Sequence, residues 1–377
     1  MSGRVRRSAV RVAAMSGKEL LHVARDPRTL ALALAMPVLL LVIFGFGVSF
    51  DVERVPLVVA DRDHSPASRA LVHAFSAAHE FEVVGYASPE EGNAVFRRGR
   101  ALAVLVVSPG YGRDVARGAR ARAELLVDGT DPTTANQVLQ KSDAIARAEA
   151  MRWAATLAPA RTAPVEARIW TRYNPEARSA VFMVPGMTAY VMALVAVLLT
   201  ALAIAGEWER GSMEQLFASP VGRFEIIAGK LLPYLGLGLV QLLLVVAVGA
   251  VAFDVPVRGS LALLVLFGFV FLVGMLGQGL LISVLTRNQL VATQAGTLSA
   301  FIPSLLLSGA FFPVENMPPP LQVLSAAIPA RYLVHALRGI LLKGAGMAVL
   351  WPDLVAMALF AVVILTVATL RFRRRVA

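Results

Sequence analysis

The residues of this chain best suited to chemistry form a polar segment between two long apolar runs. Its charged residues are Glu207, Glu209, Arg210, Glu214, Arg223, Glu225 and Lys230. In hydrocarbon each charge would cost about 2.5–3.5 kcal/mol, so the segment must lie outside the core of a bilayer. Met213, Leu216 and Phe217 have the spacing of one helical face, while Ser212 can cap that turn and Pro220 can end it. The pattern predicts a loop with a short amphipathic helix at a membrane surface.

Motifs for nucleotide chemistry are missing from the same region. Gly222 to Leu231 superficially resembles a phosphate-binding loop, but its spacing is too long. Leu231 also stands where a hydroxyl group is needed to bind Mg²⁺. We therefore predict no nucleotide site, no catalytic residues and no cofactor in this chain.

Two other polar groups have alternative interpretations. The apolar runs contain Gln241, Gln278 and Gln294 but no Asp, Glu, Lys, Arg or His near their centres, which disfavours an ion-coupled carrier. We interpret the three glutamines as hydrogen-bond partners between helices, with a substrate path as the alternative. Asp61, Asp63 and His64 are residue types that bind metals, but they stand where a strand passes into a capped helix, so a solvated turn is favoured over a metal site.

The elements that position these residues are predicted to cross a membrane. The chain has 377 residues, of which 57% are hydrophobic and 16% charged, with a mean hydropathy of +0.67. A span of about 20 apolar residues crosses roughly 30 Å of hydrocarbon. Stretches of that kind occur at Thr29–Phe50, Val181–Ala205, Leu231–Phe253, Leu261–Leu285, Leu290–Phe312 and Leu354–Leu370. The sequence therefore predicts a polytopic α-helical membrane protein with six transmembrane helices.

Basic residues decide the predicted orientation. With the N-terminus inside, fifteen Lys and Arg residues lie in the inner loops and termini and four in the outer short loops. Since Lys and Arg are retained on the cytoplasmic side, both termini and loop 206–230 are predicted to be cytoplasmic. The net charge of +11 follows from this topology, so we predict no nucleic-acid partner. The first span lacks a cleavage site for a signal peptidase and is interpreted as an uncleaved anchor.

Residues 51–178 are predicted to form a soluble extracytoplasmic domain between the first two spans. Its length and β-branched content predict strands at Val55–Ala60, Phe81–Tyr86, Ala101–Val107, Ala123–Val127 and Val165–Trp170. Helices are predicted from Ser65-Pro66 to Ala78, from Ser88-Pro89, and from Asp131-Pro132 to Leu157. An α/β or α+β domain follows, without disulfides because the chain has no cysteine.

Three further segments complete the domain organisation. Residues 1–28 hold a basic amphipathic helix before the first span at 29–50, and residues 371–377 form a basic cytoplasmic tail. Within the five-helix region 179–370, the proline-rich stretch 313–352 is too broken for a simple crossing. We predict a re-entrant element of the outer leaflet there.

Four sequence blocks in this order resemble one family over nearly the whole chain. They are Lys18-Glu-Leu-Leu with Arg25-Asp-Pro-Arg28; Val58-Val-Ala-Asp61 with Ser65-Pro-Ala-Ser-Arg-Ala70; Glu209-Arg-Gly-Ser-Met-Glu214 with Ser219-Pro220 and Gly229-Lys230; and Pro329-Ala-Arg-Tyr332 with Leu337-Arg-Gly-Ile340 and Lys343-Gly344. The chain resembles the permease subunits of ABC-2 type exporters, in the bacterial subclass with a large extracytoplasmic domain between the first two spans.

The resemblance implies a bacterial inner-membrane permease without catalysis of its own. A separate cytoplasmic ABC ATPase would hold ATP and Mg²⁺, and the permease would pair with a second copy or a sister permease among membrane lipids. A periplasmic adaptor accompanies some such subunits. The implied ATPase-coupling residues are Glu207, Glu209, Arg210, Gly211, Met213, Glu214, Leu216, Phe217, Ser219 and Pro220, with a second contact at Lys18, Glu19, Arg25 and Asp26. The apolar spans suit an amphipathic or hydrophobic substrate, drug-like or lipid-like.

A different class of function also fits part of the pattern. A membrane-anchored sensor or envelope-assembly scaffold would use the extracytoplasmic domain to bind a ligand. Such a protein usually carries a cytoplasmic signalling domain, whereas only short cytoplasmic loops are predicted here. The export function is therefore favoured.

Overall fold

The chain folds into two compact units, residues 1–48 with 171–377 and residues 49–170. The structure is a computed structural model, which describes residues 2–47, 54–86, 95–96, 100–129, 132–157, 178–213, 215 and 221–372. The predicted helix from Ser88-Pro89 and the predicted strand Val165–Trp170 lie outside the described residues, as does the tail beyond Phe372.

A four-stranded sheet forms the centre of the unit at 49–170. Its strands are β1 (Val55–Asp61), β2 (Phe81–Tyr86), β3 (Ala103–Val107) and β4 (Ala123–Val127), in the order β2-β1-β3-β4. β1 pairs in parallel with β2 and β3, with Leu57 opposite Ala103, while β3 pairs antiparallel with β4. Because the helix Pro66–Ala77 (α4) connects the parallel pair β1 and β2, the unit is of the α/β type with an antiparallel edge strand.

Three helices are described in this unit, and the first and third begin at the predicted residues. The three are α4 (Pro66–Ala77), α5 (Tyr111–Ala116) and α6 (Pro132–Leu157). The second follows Gly110 without a side-chain cap and was not predicted. The Ser65 hydroxyl accepts the backbone N–H of Ser68, which confirms the predicted cap of α4. One face of the sheet packs on these helices through Leu57, Val59, Leu71 and Phe75. The predicted strands in the described residues are confirmed, with β3 starting two residues late.

In its described residues the other unit is helical, and five of the helices found there are long and apolar enough to cross a membrane. The candidate spans are Pro27–Phe46, Ser179–Glu209, Arg223–Ala252, Leu261–Thr286 and Met347–Arg371. Five of the six predicted spans are thereby confirmed as apolar helices. The sixth, predicted at Leu290–Phe312, is a helix of 18 residues at Gln289–Leu306 that is not among these candidates.

The helices of this unit are numbered in chain order. They are α1 (Ser2–Arg25), α2 (Pro27–Leu30), a π-helical turn (Ala31–Ala35), α3 (Met36–Gly47), α7 (Ser179–Glu209), α8 (Arg223–Ala252), α9 (Leu261–Thr286), α10 (Gln289–Leu306), a 3₁₀ turn (Val314–Asn316), α11 (Pro319–Ser325), α12 (Pro329–Arg338), a second π turn (Gly339–Lys343) and α13 (Met347–Arg371). α7 is the most buried span, and it packs against α3, α8, α9, α10 and α12.

Two boundaries differ from the prediction. α13 begins at Met347 rather than Leu354, with Pro352 inside its second turn. α7 and α8 extend beyond their predicted spans, so that Glu207 and Glu209 lie in α7 and Lys230 in α8 rather than in a loop. With 31 and 30 residues these helices are about 45 Å long, which exceeds the hydrocarbon thickness. Their polar ends can therefore remain helical outside the apolar layer.

Candidate functional site

A polar cleft of about 540 Å³ lies where the ends of several helices converge. It is lined by Lys18, Glu19, His22, Val23, Asp26, Arg28, Thr29, Leu32, Leu199, Leu202, Ala203, Gly206, Glu207, Arg210, Ser212, Tyr234 and Gln289. These residues come from α1, from Asp26, α2 and the π turn after it, from the last turns of α7 and the residues that follow it, and from the first halves of α8 and α10. The structure thus brings the two sequence-predicted contact patches, around Lys18 and around Glu207, to one cleft.

The N-terminal helix α1 is attached to α8 along one face. Arg11 forms an ion pair with Glu225 at 3.4 Å, and the Ser16 hydroxyl donates to the carbonyl of Gly229 at 3.1 Å. One turn further, the Tyr234 hydroxyl donates to Glu19 Oε1 at 3.0 Å, with both side chains buried. Three contacts in register fix α1 along the first three turns of α8.

Gly229 lies at the closest approach of α1 and α8. A Cβ atom there would lie 2.7 Å from the Met15 Cβ, closer than two side chains can stand. The missing side chain at this position is therefore what lets α1 lie flat on α8. The two neighbouring residues thus contact different helices: Gly229 faces α1, and Lys230 faces α7.

A buried ion pair joins the ends of α7 and α8. Lys230 Nζ lies 2.5 Å from Glu207 Oε2, and the two side chains are 5% and 15% exposed. A charge this deeply buried is stable only when it is paired. The pair therefore holds the end of α7 and the start of α8 together.

The connection after α7 starts with a sharp turn. The N–H of Arg210 bonds back to α7, and Gly211 has a φ of 70°, the left-handed region that glycine adopts without strain. The Ser212 hydroxyl donates to the carbonyl of Glu207 at 3.3 Å. Ser212 therefore satisfies the C-terminal end of α7. Ser212 and Met213 are themselves helical, at the place where the sequence predicted a new turn.

Met213, which was predicted on the apolar face of the short helix and implied as an ATPase-coupling residue, is buried within the helical unit. Its side chain is fully buried in a cluster that includes Ile204, Ile226, Leu280 and Val284. Burial of this thioether side chain holds the start of the connection on the helices beneath it. Met213 thus acts as an anchor of the turn rather than as a surface residue. The predicted contact residues Glu214, Leu216, Phe217, Ser219 and Pro220 lie outside the described residues.

The rim of the cleft carries exposed charges. Lys18 and Arg210 line the cleft and are exposed, as is Glu209 next to Arg210. Arg25 is also exposed but does not line the cleft. Glu209 Oε1 accepts the backbone N–H of Gln289 at 2.8 Å, which places its carboxylate at the positive N-terminal end of α10. Next to it, the Arg287 guanidinium lies 4.6 Å from the ring centre of Trp208. The rim is therefore a polar surface of fixed geometry.

Asp26, predicted as a contact residue, caps the first span. Its carboxylate accepts the backbone N–H of Arg28 at 3.0 Å and the hydroxyl of Thr29 at 2.6 Å. The hydrogen bond from Thr29 holds the pKa of Asp26 below its ordinary value. Asp26 is thus the N-cap of the helix that begins at Pro27, and its carboxylate is hydrogen-bonded within the chain.

The three glutamines do not converge on one site, and none of them lines the polar cleft. Gln278 on α9 donates to the Ser299 hydroxyl on α10 at 3.1 Å, which confirms an interhelical bond. Gln294 is exposed on α10. Gln241 is buried in α8, and its Nε2 has no hydrogen-bond partner among the described residues.

The Asp61–His64 segment forms a hydrogen-bonded turn at the carboxyl ends of β1 and β3. Asp61 accepts the N–H groups of Asp63 and His64 and the hydroxyl of Ser68, while Asp63 accepts the N–H groups of Gly110 and Gly112. Burial raises the pKa of Asp61, but the bonds from Ser68, His64 and Asp63 lower it more, to a net value below the ordinary one. Within the described part of the chain, no group of three or more metal-binding side chains is placed to hold an ion.

Sequence reasoning missed several residues of the cleft. Tyr234 stood inside an apolar run, and its partner Glu19 lies 215 residues earlier in the chain. The signal that could have indicated the contact is the spacing of Arg11, Met15 and Glu19, four residues apart on one face of a predicted amphipathic helix. No pattern in the sequence indicated that Gln289 would reach the same cleft.

Comparisons with known proteins match the chain over nearly its full length. The family described as ABC-2 family transporter protein matches residues 27–370. The chain is 33% identical over 370 residues to the probable multidrug ABC transporter permease YbhS of Escherichia coli (strain K12), with 97% of each chain covered. It is 30% identical over 363 residues to the probable multidrug ABC transporter permease YbhR of the same strain, covering 95% of this chain and 97% of that one. The inner membrane transport permease YhhJ of that strain is 28% identical over 359 residues, with coverages of 90% and 92%.

Proposed function

Because this chain belongs to the ABC-2 family of transporter proteins, we propose that it is the permease of an exporter whose separate ABC ATPase docks at the rim of the polar cleft. The observation that carries the proposal is the convergence of two predicted contact patches, around Lys18 and around Arg210, on one cleft. Membership of this family implies an ABC ATPase partner. The exposed charges of the rim could form a protein–protein contact whose specificity comes from electrostatic complementarity.

The contacts beneath the rim suggest how movement of the ATPase reaches the membrane. α1 is fixed to α8 through Glu19 and Tyr234, and α8 is fixed to α7 through Lys230 and Glu207. α7 in turn packs on most other helices of its unit. A displacement of α1 or of the turn at Gly211 would thus be passed to the most buried span as a rigid-body shift.

Six spans with both termini in the cytoplasm are part of the proposal. α10, with 18 residues, would be about 27 Å long, enough to cross the hydrocarbon with little margin. The apolar side chains of Leu290, Leu298, Ile302 and Leu306 are exposed on α10. Such a surface is expected on a helix that faces lipid or a second subunit. The excess of basic residues at the loop 206–230 side supports a cytoplasmic cleft and an extracytoplasmic unit at 49–170.

The proposed substrate is amphipathic or hydrophobic, drug-like or lipid-like, and moves outward. The apolar character of the spans supports it, as do the names of the relatives YbhS and YbhR, which are called probable multidrug permeases. The working unit would be a dimer with a second copy or a sister permease. A periplasmic adaptor would be a further partner on the side of the unit at 49–170.

Reconstitution with an ABC ATPase tests the proposal. The permease is co-expressed with its partner ABC ATPase, purified, and placed in proteoliposomes with a hydrophobic dye. We expect ATP-dependent dye movement, and we expect Arg210→Glu to lose both co-purification and transport. Arg117→Glu, at an exposed position of the other unit, is the matched control and should behave as wild type. A permease that folds but shows no ATPase association, or equal losses in both variants, would contradict the proposal.

A further inference from the structure

An apolar groove continues from the polar cleft along the first span. It has a volume of about 970 Å³ and is lined by Arg28, Ala31, Leu32, Leu34, Ala35, Met36, Val38, Leu39, Val42 and Leu244. Arg28 and Leu32 line both the cleft and the groove. The two cavities therefore meet at these side chains, with charged groups on one side of the junction and hydrocarbon surface on the other.

The groove follows a single stripe of the helix. Arg28, Leu32, Ala35, Leu39 and Val42 have the spacing i, i+4, i+7, i+11 and i+14, which places them on one face. From Arg28 to Val42 this stripe rises about 21 Å, more than half of the roughly 30 Å hydrocarbon thickness. A groove of that length accommodates an acyl chain of one leaflet, with its headgroup at Arg28.

The helix is irregular where the cleft and the groove meet. Residues Ala31–Ala35 form a π-helical turn, a feature found often at functional sites. Ala31 and Ala35 are both exposed and small, so the stripe is shallow at this level. The open space lies directly after Arg28.

The charges of the cleft favour an anion. Its acidic groups are engaged within the chain: Glu19 accepts from Tyr234, Asp26 caps α2, and Glu207 pairs with Lys230. Its basic residues Lys18, Arg28 and Arg210 are exposed, and no ion pair joins them to another residue in the described ranges. The three carboxylates keep their negative charges and balance the three basic side chains of the lining, while Lys230 beside Glu207 adds one positive charge. The charges that are exposed in the cleft are the basic ones.

We propose that the polar cleft and the apolar groove together bind one anionic phospholipid from the leaflet at the basic end of the first span. Its phosphate lies among Arg28, Lys18 and Arg210, and one acyl chain lies along Ala35 and Leu39. The site requires no ATPase, so it can be tested on the permease alone and can fail independently of the proposed export function.

Binding of labelled lipids to the purified full-length chain in detergent tests the headgroup. Fluorescent phosphatidylglycerol should bind more tightly than phosphatidylcholine with the same chains. Arg28→Gln should weaken phosphatidylglycerol about fivefold, the factor for roughly 1 kcal/mol per basic side chain near an anionic surface. It should leave phosphatidylcholine unchanged. The matched control is Arg25→Gln, which removes an exposed charge outside the cleft lining and should change the affinity less than twofold.

Filling the groove tests the acyl chain. Ala35→Trp should weaken both lipids several-fold, whereas Ile43→Trp, an exposed position of the same helix that does not line the groove, should not. Glycerol phosphate, which carries the headgroup charge without a tail, should compete at least tenfold more weakly than phosphatidylglycerol.

Four results would overturn the proposal. Equal affinity for phosphatidylglycerol and phosphatidylcholine would be one, and an unchanged affinity in Ala35→Trp another. An equal loss of phosphatidylglycerol affinity in Arg25→Gln and Arg28→Gln would indicate only a diffuse positive field. Binding of glycerol phosphate as tightly as the lipid would indicate a site for free phosphate.

Discussion

Replacing Lys230 by methionine should strongly destabilise the helical unit. The ammonium group lies 2.5 Å from Glu207, with the two side chains only 5% and 15% exposed. Removing one partner leaves the other charge buried and unpaired, which costs about 3–5 kcal/mol. Because the Glu207 side chain keeps some contact with solvent, we expect a loss near the lower end, about 3 kcal/mol.

The double variant Glu207→Leu/Lys230→Met separates the ion pair from general packing. Replacement of a whole buried pair by apolar side chains is often close to neutral, so the double variant should lie within about 1 kcal/mol of wild type. The assay is unfolding of the purified chain by SDS titration in mixed micelles, followed by far-ultraviolet circular dichroism. Arg223→Met, an exposed charge at the start of the same helix, serves as control and should change stability by no more than about 0.5 kcal/mol.

Additive losses of stability in the two single variants and the double variant would refute this reasoning. If the double variant lost as much stability as the two single variants together, Glu207 and Lys230 would contribute independently. The ends of α7 and α8 would then not be held together by their charges.

Three further perturbations probe the same structure and the neighbouring unit. Tyr234→Phe should lower the free energy of unfolding by about 1.5–3 kcal/mol in the SDS titration, because the carboxylate of buried Glu19 loses a hydrogen bond. An unchanged free energy of unfolding would contradict that hydrogen bond. Gly229→Leu should lower the stability by about 1–3 kcal/mol through overpacking against α1. Gly236, which has open space around it, is the control, and Gly236→Leu should leave the stability unchanged. Equal effects of the two variants would argue against the close contact at Gly229. Because the pKa of Asp61 is lowered below 3.8, its contribution to stability is present above that pH and lost as pH falls through the lower folded value. Asp61→Asn should therefore remove part of the acid-induced loss of hydrogen-exchange protection in β1 and β3 of the full chain, and an unchanged acid profile would contradict it.

Local patterns were sufficient to predict much of the fold. β2 and β4 begin and end at the predicted residues because short runs of β-branched and apolar residues are bounded by polar turns. The start of α4 was predictable because Ser65 and Pro66 form a local cap. Five spans were predictable because hydrophobic length alone determines a helix that can cross a bilayer.

Features that depend on distant partners were not predictable. The sequence indicated that Glu207 must leave the hydrocarbon, but the helix continues because Lys230, 23 positions later, neutralises the carboxylate. Met213 was predicted on the apolar face of a short surface helix, but the side chains that bury it include Leu280 on α9, which no local pattern indicates. The cleft itself requires α1 to lie on α8, a contact that depends on Gly229 and could not be deduced from either helix alone.

Site-directed crosslinking to the ATPase tests the central claim most directly. The chain has no cysteine, so a benzophenone attached through maleimide to Lys18→Cys or Arg210→Cys reports on one position at a time. In the transport-competent complex, both positions should crosslink to the ATPase, and Arg117→Cys in the unit at 49–170 should not. Absence of crosslinks at both rim positions in an active complex, or equal crosslinking at Arg117→Cys, would contradict docking of the ATPase at the polar cleft.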